Sequence, residues 1–223
     1  MNLSSFETVI FDLGGVIINL DYHKTTRAFE KLGLETFAEM YSQAAQSGLF
    51  DDFEKGKCSI PYFVNKLLTY LPTGTTANQV VEAWNEMILD FPIENLKLLE
   101  DLKSSHRIFL LSNTNEIHIQ KVHHHLQLVS PHKSLHPYFE KVYFSSDIGM
   151  RKPDAEIFEF VLNENKLNPS KTLFIDDTEQ HILGAQKVGI QTYHLGKKER
   201  ICDILQWQIY HLPQSLLIST GSM

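Results

Sequence analysis

Cysteine is scarce in this sequence: two among 223 residues, Cys58 and Cys202, far apart and without neighbours at metal-ligand spacing. A chain of this length buries a core without covalent staples. A disulfide scaffold is therefore excluded, and the expected compartment is a reducing one, the cytoplasm. A surplus of positive charge is also missing. Lys+Arg 20 against Asp+Glu 27 gives a net charge of −7, which leaves nothing to hold a nucleic-acid backbone or an anionic bilayer. Neither is an expected partner. The apolar run from Val9 to Leu20 is interrupted by Asp12 and two glycines and has no basic stretch ahead of it, so it reads as part of the fold and not as a signal peptide or membrane span. Internal repeats, low-complexity segments and flexible linkers are absent as well; Pro72-Thr73-Gly74-Thr75 is a turn.

What is present is an ordinary globular composition, 43% hydrophobic and 21% charged. Five short segments rich in β-branched and aromatic residues stand out, at 6–11, 106–111, 141–145, 172–176 and 191–195. Without clean alternation, they read as strands buried on both faces, the habit of parallel sheets. Between them, 115–129, 153–165 and 179–188 show helical apolar spacing, with Pro153 suited to a first helical position and Gly189 to a C-terminal stop. Alternating strand and helix implies right-handed crossovers and an α/β fold with a doubly wound parallel sheet.

The first connection breaks the pattern, because roughly ninety residues stand where a crossover needs on the order of a dozen. The insert reads as all-helical: 22–32 stopped by Gly33, 35–47 stopped by Gly48, a helix capped by Ser59 with Pro61 near its start, and a capping box formed by Thr76 and Gln79. The expected organisation is an α/β core of residues 1–18 and 92–223 with a helical unit at 19–91. Placed after the first strand, that unit would overhang the sheet's C-terminal edge, where ligands bind in such folds.

Each strand ends in polar residues: Asp12, then Ser112-Asn113-Thr114, then Ser145-Ser146-Asp147, then Asp176-Asp177. Parallel strands bring these ends side by side, so Asp12, Asp176 and Asp177 would share one crevice. Like charges there are costly unless a cation sits among them, and hard oxygen donors suit Mg2+. Each of these residues alone could be only a helix cap; three converging carboxylates are harder to explain that way. Gly14 and Gly15 allow a tight turn that aims amide N–H groups at an oxyanion, and Ser112 adds a hydroxyl beside a helix N-terminus. Lys152, extended before Pro153, can aim its ammonium at the same edge, although lysines are mostly solvated. A carboxylate nucleophile, a divalent cation, fixed donors and one ammonium suit displacement at phosphorus.

With these residues in view, the sequence resembles the haloacid dehalogenase-like hydrolase superfamily over nearly its whole length. FDLGGV at 11–16, LLSNT at 110–114, GMRKPD at 149–154 and FIDDTEQHILGAQKVGI at 174–190 look like its four motifs in order. The resemblance implies that Asp12 is a nucleophile forming an aspartyl-phosphate, with Lys152 as its catalytic partner. It also implies that Leu13, Gly14, Ser112, Asn113 and Lys152 hold the phosphoryl group, and that Asp12, the Gly14 carbonyl, Asp176 and Asp177 hold magnesium. The long insert is similar to the family's helical cap. The DLGGV form resembles a branch that includes sugar-1-phosphate phosphatases, in which GLFDDFEKGKCS (48–59) is similar to a cap turn facing the substrate.

Family phosphatases usually carry a second aspartate two residues after the nucleophile, and here Gly14 stands in its place. A general acid–base group typically contributes about 10² to 10⁴ in rate, so its loss weakens the chemistry and favours leaving groups that need little protonation. Asp21, Asp51, Asp52 or Glu54 could supply the proton from the insert, and Asp51, Asp52 and Glu54 are the candidates for substrate selection. His181 replaces an Asn or Asp common in the family. The expected activity is magnesium-dependent hydrolysis of a small phosphorylated metabolite, a sugar phosphate, by a monomer or dimer. Two other readings stand beside it: a phospho-ligand binder that has lost catalysis, and a metal-free 2-haloacid dehalogenase, in which the Asp176-Asp177 pair would have no compensating charge. His118 and His125 are seven residues apart within a histidine-rich stretch that runs to His136, and they could share a helix face as a transition-metal site. Phe29, Phe37, Tyr41, Phe63, Leu67, Trp84 and Met87 read as packing of the insert.

Overall fold

The computed structural model describes residues 3–41 and 48–209. Five parallel strands, β1 (Thr8–Phe11), β2 (Arg107–Ser112), β3 (Lys141–Phe144), β4 (Thr172–Asp176) and β5 (Gln191–His194), form one sheet in the order β3-β2-β1-β4-β5. β1 is central, so both neighbouring strands start from its register and the chain reverses direction across the sheet at this strand. The crevice at such a switch point lies outside the strands' C-terminal ends.

The lack of polar alternation in the strands has a direct cause. Val9, Phe11, Ile108, Leu110, Leu173 and Ile175 face one buried cluster, and Ile10, Phe109, Leu111, Tyr143 and Phe174 face another. Both faces are covered, so polar side chains appear only where the strands end.

Between β1 and β2 the chain forms α1 (Tyr22–Lys31), α2 (Phe37–Met40), α3 (Leu49–Glu54), α4 (Ile60–Leu68) and α5 (Ala77–Asn85), followed by α6 (Ile93–Leu102), which packs on the sheet. The expected caps are in place: Ser59 accepts from the Tyr62 amide, and Thr76 and Gln79 make the reciprocal capping box. Of the helix expected over 35–47, Phe37–Met40 is helical, and residues 42–47 lie outside the described residues. The insert is held by its own aromatic cluster. Phe29 stacks on Phe37 at 4.1 Å, Phe53 on Phe63 at 4.0 Å and Phe50 on Trp84 at 5.6 Å, each pair contributing about 0.5–1.5 kcal/mol beyond its burial.

The remaining helices are α7 (Glu116–Val129), α8 (Ser145–Ile148), α9 (Ala155–Asn165), α10 (Glu179–Lys187) and α11 (Ile201–Ile209). One helix starts two residues later than expected. Pro153 does not open a helix; it follows a cis peptide bond, and α9 begins at Ala155 after Asp154. The preceding residue is drawn into the sheet edge, so the chain cannot enter the helix until two residues later.

Two antiparallel crossings connect insert and core. Leu20 pairs with Ile88, the Asn19 amide donates to the Asp90 carbonyl at 3.0 Å, and the Leu89 amide donates to the Asn19 carbonyl at 3.0 Å. This neck sets the insert over the C-terminal edge of the sheet.

Candidate active site

A cleft of about 1100 Å³ lies between that edge and the insert, with Asp12, Ser112, Lys152 and Asp177 on its floor and Asp51 and Glu54 on its wall. Asp12 follows β1, and its amide donates to the Ile175 carbonyl at 2.9 Å, which fixes it in the sheet's register. Asp176 ends β4 and is fully buried. Asp12, Asp176 and Asp177 bring carboxylate oxygens within 4.8 Å of one another, and among the described residues theirs is the one such group of metal-ligating side chains.

Lys152 reverses the expectation for its residue type. It is wholly buried, and its Nζ lies 2.7 Å from Asp12 Oδ1 and 2.7 Å from Asp176 Oδ2, with the Phe174 ring beneath it at 5.3 Å. One ammonium against three carboxylates leaves two negative charges uncompensated, the charge of a divalent cation. The protonation of the group reflects this. Burial, opposed by Lys152 and reinforced by Asp176 and Asp177, pushes the Asp12 carboxyl up to about 7. Burial acts on Asp176 too, but Lys152 and His181 outweigh it and hold that carboxyl at about 2. Asp177 is raised by burial and by Asp176.

Because Asp176 is ionised and accepts only, the His181 Nδ1 must carry its proton and donate to Asp176 at 3.0–3.1 Å. Burial and the Lys152 charge keep that imidazole below its ordinary value. His181 thus does with a ring nitrogen what an amide could do at this position. The Thr178 amide donates to Asp176 Oδ1 at 2.8 Å.

The glycines divide the work differently from expectation. The Gly15 amide is consumed by the Ile18 carbonyl at 2.8 Å, so of the two glycines only Gly14 keeps an amide for an oxyanion. Gly15 is needed for another reason: it has φ +73°, and a Cβ there would lie 2.3 Å from Asp177 Oδ2. A Cβ on Gly14 would meet the Leu20 Cδ1 at 2.4 Å. A leucine methyl from the neck therefore occupies the space beside the position where an acid is missing.

Asn113 also departs from expectation. Its side chain is turned to the Lys152 backbone, accepting from the Lys152 amide at 2.9 Å and donating to the Lys152 carbonyl at 2.8 Å, and this leaves its main-chain amide as the group available to a ligand. Ser112 is buried at the end of β2 and lines the cleft, but the helix that follows starts only at Glu116, with Asn115 as its cap.

On the insert side the expected trio separates. Of the segment 48–59, Leu49–Glu54 forms α3, and Lys55 and Gly56 make the turn after it. Asp51 pairs with Arg151 at 2.9 Å and with Lys55 at 3.2 Å, and these hydrogen bonds outweigh its partial burial and lower its carboxyl. Glu54 pairs with Arg151 at 3.1 Å. Asp52, by contrast, is half exposed with Lys57 at 4.0 Å, because it sits on the solvent face of α3. Asp21 caps α1 through the His23 amide and pairs with Arg27 at 3.6 Å. Arg151, within a motif but not singled out from sequence, thus joins core to insert; its position directly before Lys152 was the available signal. Ser145, read only as a strand-end residue, does the same, donating to the Glu54 carbonyl at 2.7 Å while accepting from the Thr114 amide at 2.9 Å.

The histidines do not gather around a metal among the described residues. His118 stacks on Trp84 at 4.8 Å, donates through Nε2 to the Trp84 carbonyl at 3.1 Å and accepts at Nδ1 from Asn115 at 3.2 Å. Burial pushes it down to about 4. Both ring nitrogens are occupied, so it cannot replace the missing acid. His125 donates to the Leu89 carbonyl at the neck.

Residues 6–189 match the family described as haloacid dehalogenase-like hydrolase. A D-ribitol-5-phosphate phosphatase of Bacteroides thetaiotaomicron is 32% identical over 187 residues, covering 84% of this chain and 90% of that protein. A sesquiterpene phosphatase of Aspergillus oryzae is 24% identical over 206 residues, 89% of this chain and 94% of that one. A solved structure of a HAD family enzyme from Bacteroides thetaiotaomicron, in complex with magnesium and inorganic phosphate, is 33% identical with a TM-score of 0.80, covering 90% of this chain and 99% of that chain.

Proposed function

The chain belongs to the haloacid dehalogenase-like hydrolase family, and we propose that it is a magnesium-dependent phosphohydrolase acting through an aspartyl-phosphate on a small polyhydroxylated phosphate ester, a sugar or polyol phosphate. The observation that carries this reading is the convergence of Asp12, Asp176 and Asp177 at one strand edge, the first two buried and bonded to one ammonium and the third open to the cleft. Its donor set and residual charge fit a hard divalent cation. Asp12, Asp176, Asp177 and the Gly14 carbonyl would hold it. When bound, magnesium neutralises charge on the transferring phosphoryl group.

The rest follows from the chain's own groups. Asp12 Oδ attacks phosphorus in line, and the bond to the leaving oxygen breaks. The Lys152 ammonium, the Ser112 hydroxyl and the main-chain amides of Leu13, Gly14 and Asn113 meet the equatorial oxygens where charge is greatest. The leaving oxygen takes its proton from water in the cleft; a water then attacks phosphorus, the P–O bond to Asp12 breaks to free the carboxylate, and the proton of that water passes to the released phosphate. Residues 1–18 and 92–223 make the catalytic core, and 19–91 act as a cap that excludes bulk water. The wall of the cleft is mixed, with Asn19, Asp51, Glu54 and Arg151 beside Leu20, Tyr22, Tyr41, Met87 and Ile88, and a polyol phosphate set against a terpenoid phosphate in the same assay decides which it takes.

Two considerations differ on the leaving group. Gly14 offers no proton, which favours anomeric, aryl or acyl phosphates; the bacterial relative is named for a primary alkyl phosphate. Comparing ribitol 5-phosphate with a sugar 1-phosphate decides between them. The activity itself is tested with p-nitrophenyl phosphate: turnover that requires magnesium, stops on chelation and falls at least about 10⁴-fold in Asp12→Asn. Metal-independent turnover would overturn the proposal. Phosphate binding without turnover across a broad panel would favour the binder reading.

A further inference from the structure

Lys152 lies in the loop between α8 and α9, not in a strand, yet its ammonium is held to 2.7 Å from two carboxylates. A lysine side chain carries about 2 kcal/mol of rotamer entropy, so a catalytic ammonium of this kind needs its backbone fixed as well. Both main-chain polar groups of Lys152 are taken by one side chain, that of Asn113, 39 residues earlier. The amide oxygen accepts from the Lys152 N–H at 2.9 Å, and the amide nitrogen donates to the Lys152 carbonyl at 2.8 Å. Asn113 thereby stands in for a neighbouring strand. It directly follows Ser112, whose place is fixed by pairing with Phe144 in the parallel ladder, so the sheet's register passes through the amide to the loop. The task needs one donor and one acceptor on a short neutral side chain; an aspartate lacks the donor, and an alanine lacks both.

We infer that Asn113 is a positioning residue whose side chain registers Lys152 against Asp12 and Asp176, and that its carboxamide takes no direct part in phosphate binding. This rests on the proposed role of Lys152 in phosphoryl transfer. Misplacement of a catalytic group by about 1 Å costs on the order of 10²-fold. Asn113→Asp, nearly isosteric, and Asn113→Ala should therefore lower kcat about 10- to 100-fold with KM changed much less.

Two measurements test it. In a double-mutant cycle on p-nitrophenyl phosphate, Asn113→Ala should cost less than about 2-fold in the Lys152→Ala background, because the residue has nothing left to position. Equal losses in both backgrounds would overturn the inference. Independently, acetylation of Lys152 by an amine-reactive reagent, read by peptide mass spectrometry, should be about tenfold faster in Asn113→Asp than in the wild type, as local opening becomes easier. An unchanged rate in the folded variant would also overturn it. Should Lys152→Ala keep full turnover, the proposed function loses its lysine, and the acetylation rate alone still decides whether the clamp exists.

Discussion

Lys152 and its chain neighbour Arg151 are both cations with two carboxylate partners each, yet they serve opposite sides of the cleft. Lys152 is fully buried and joins Asp12 and Asp176, which lie on strand ends of the core. Arg151 keeps about an eighth of its side chain exposed and joins Asp51 and Glu54 of α3, in the insert. On the core side the partners are fixed by parallel strand register, and the group is overcharged with carboxylate, an arrangement suited to a cation and to chemistry. On the insert side the charges nearly balance, an arrangement suited to docking. One dipeptide therefore connects the reacting edge to the helices that cover it, and burial separates the two roles.

The sharpest way to break this comparison is to remove each cation in turn. Lys152→Ala leaves two buried carboxylates facing each other and should cost about 3–5 kcal/mol of stability at pH 7 in chemical denaturation. It should also lower kcat by at least about 10². Next in size is a gain. Gly14→Asp displaces only the terminal methyl of Leu20 and should raise turnover of alkyl phosphates by up to about 10² and of aryl phosphates by less, with or without Leu20→Ala. Equal gains on both ester types would show that protonation of the leaving group does not limit the reaction.

Acidity sharpens the core side. Asp12 titrates at about 7 in the metal-free fold and near 3.8 when unfolded, so its contribution to stability is present below pH 4 and is lost as pH rises through 7. Asp176, held at about 2, runs the opposite way, stabilising above pH 4 and losing that effect toward pH 2. Cation binding must displace the Asp12 proton, so magnesium affinity measured by titration calorimetry should fall about tenfold per pH unit below 7. Affinity flat between pH 5 and 7 would place the proton elsewhere. The smallest effect on turnover belongs to Arg151→Ala, which should lose about 1 kcal/mol of stability for its partly exposed pair with Asp51 and more for its buried pair with Glu54, with KM raised severalfold more than kcat is lowered. A kcat loss matching that of Lys152→Ala would erase the distinction between the two residues.

How much of this was legible in the sequence depended on whether the signal was local. The strands were legible because burial on both faces forces a short apolar run, and the strand-end carboxylates because polarity can begin only where the ladder stops. β4 matches its expected span, and β1 is two residues shorter than expected. Lys152 was legible from its place before Pro153 and from its motif, but not from its residue type. By residue type it belongs in water, and what buries it is a pair of carboxylates 140 and 24 residues away. Asn113 lines the cleft, and the task of its side chain was not legible, since an amide that can bond a phosphate can equally bond a backbone, as it does here. On the insert, Asp51, Asp52 and Glu54 look alike in sequence; the turn of α3 sends two to the cleft and one to solvent. Pro153 misled for a related reason, because the need to hold Lys152 at the sheet edge outweighs a proline's preference for a helix start.

The central claim, that Asp12 attacks phosphorus, is tested most directly by acid-quenching the enzyme during turnover and mapping the phosphorylated peptide by mass spectrometry. The account predicts a phosphoryl group on Asp12 that forms within the first turnover and disappears when substrate is exhausted. Turnover with no phosphorylated protein, or with the group on another side chain, would contradict it.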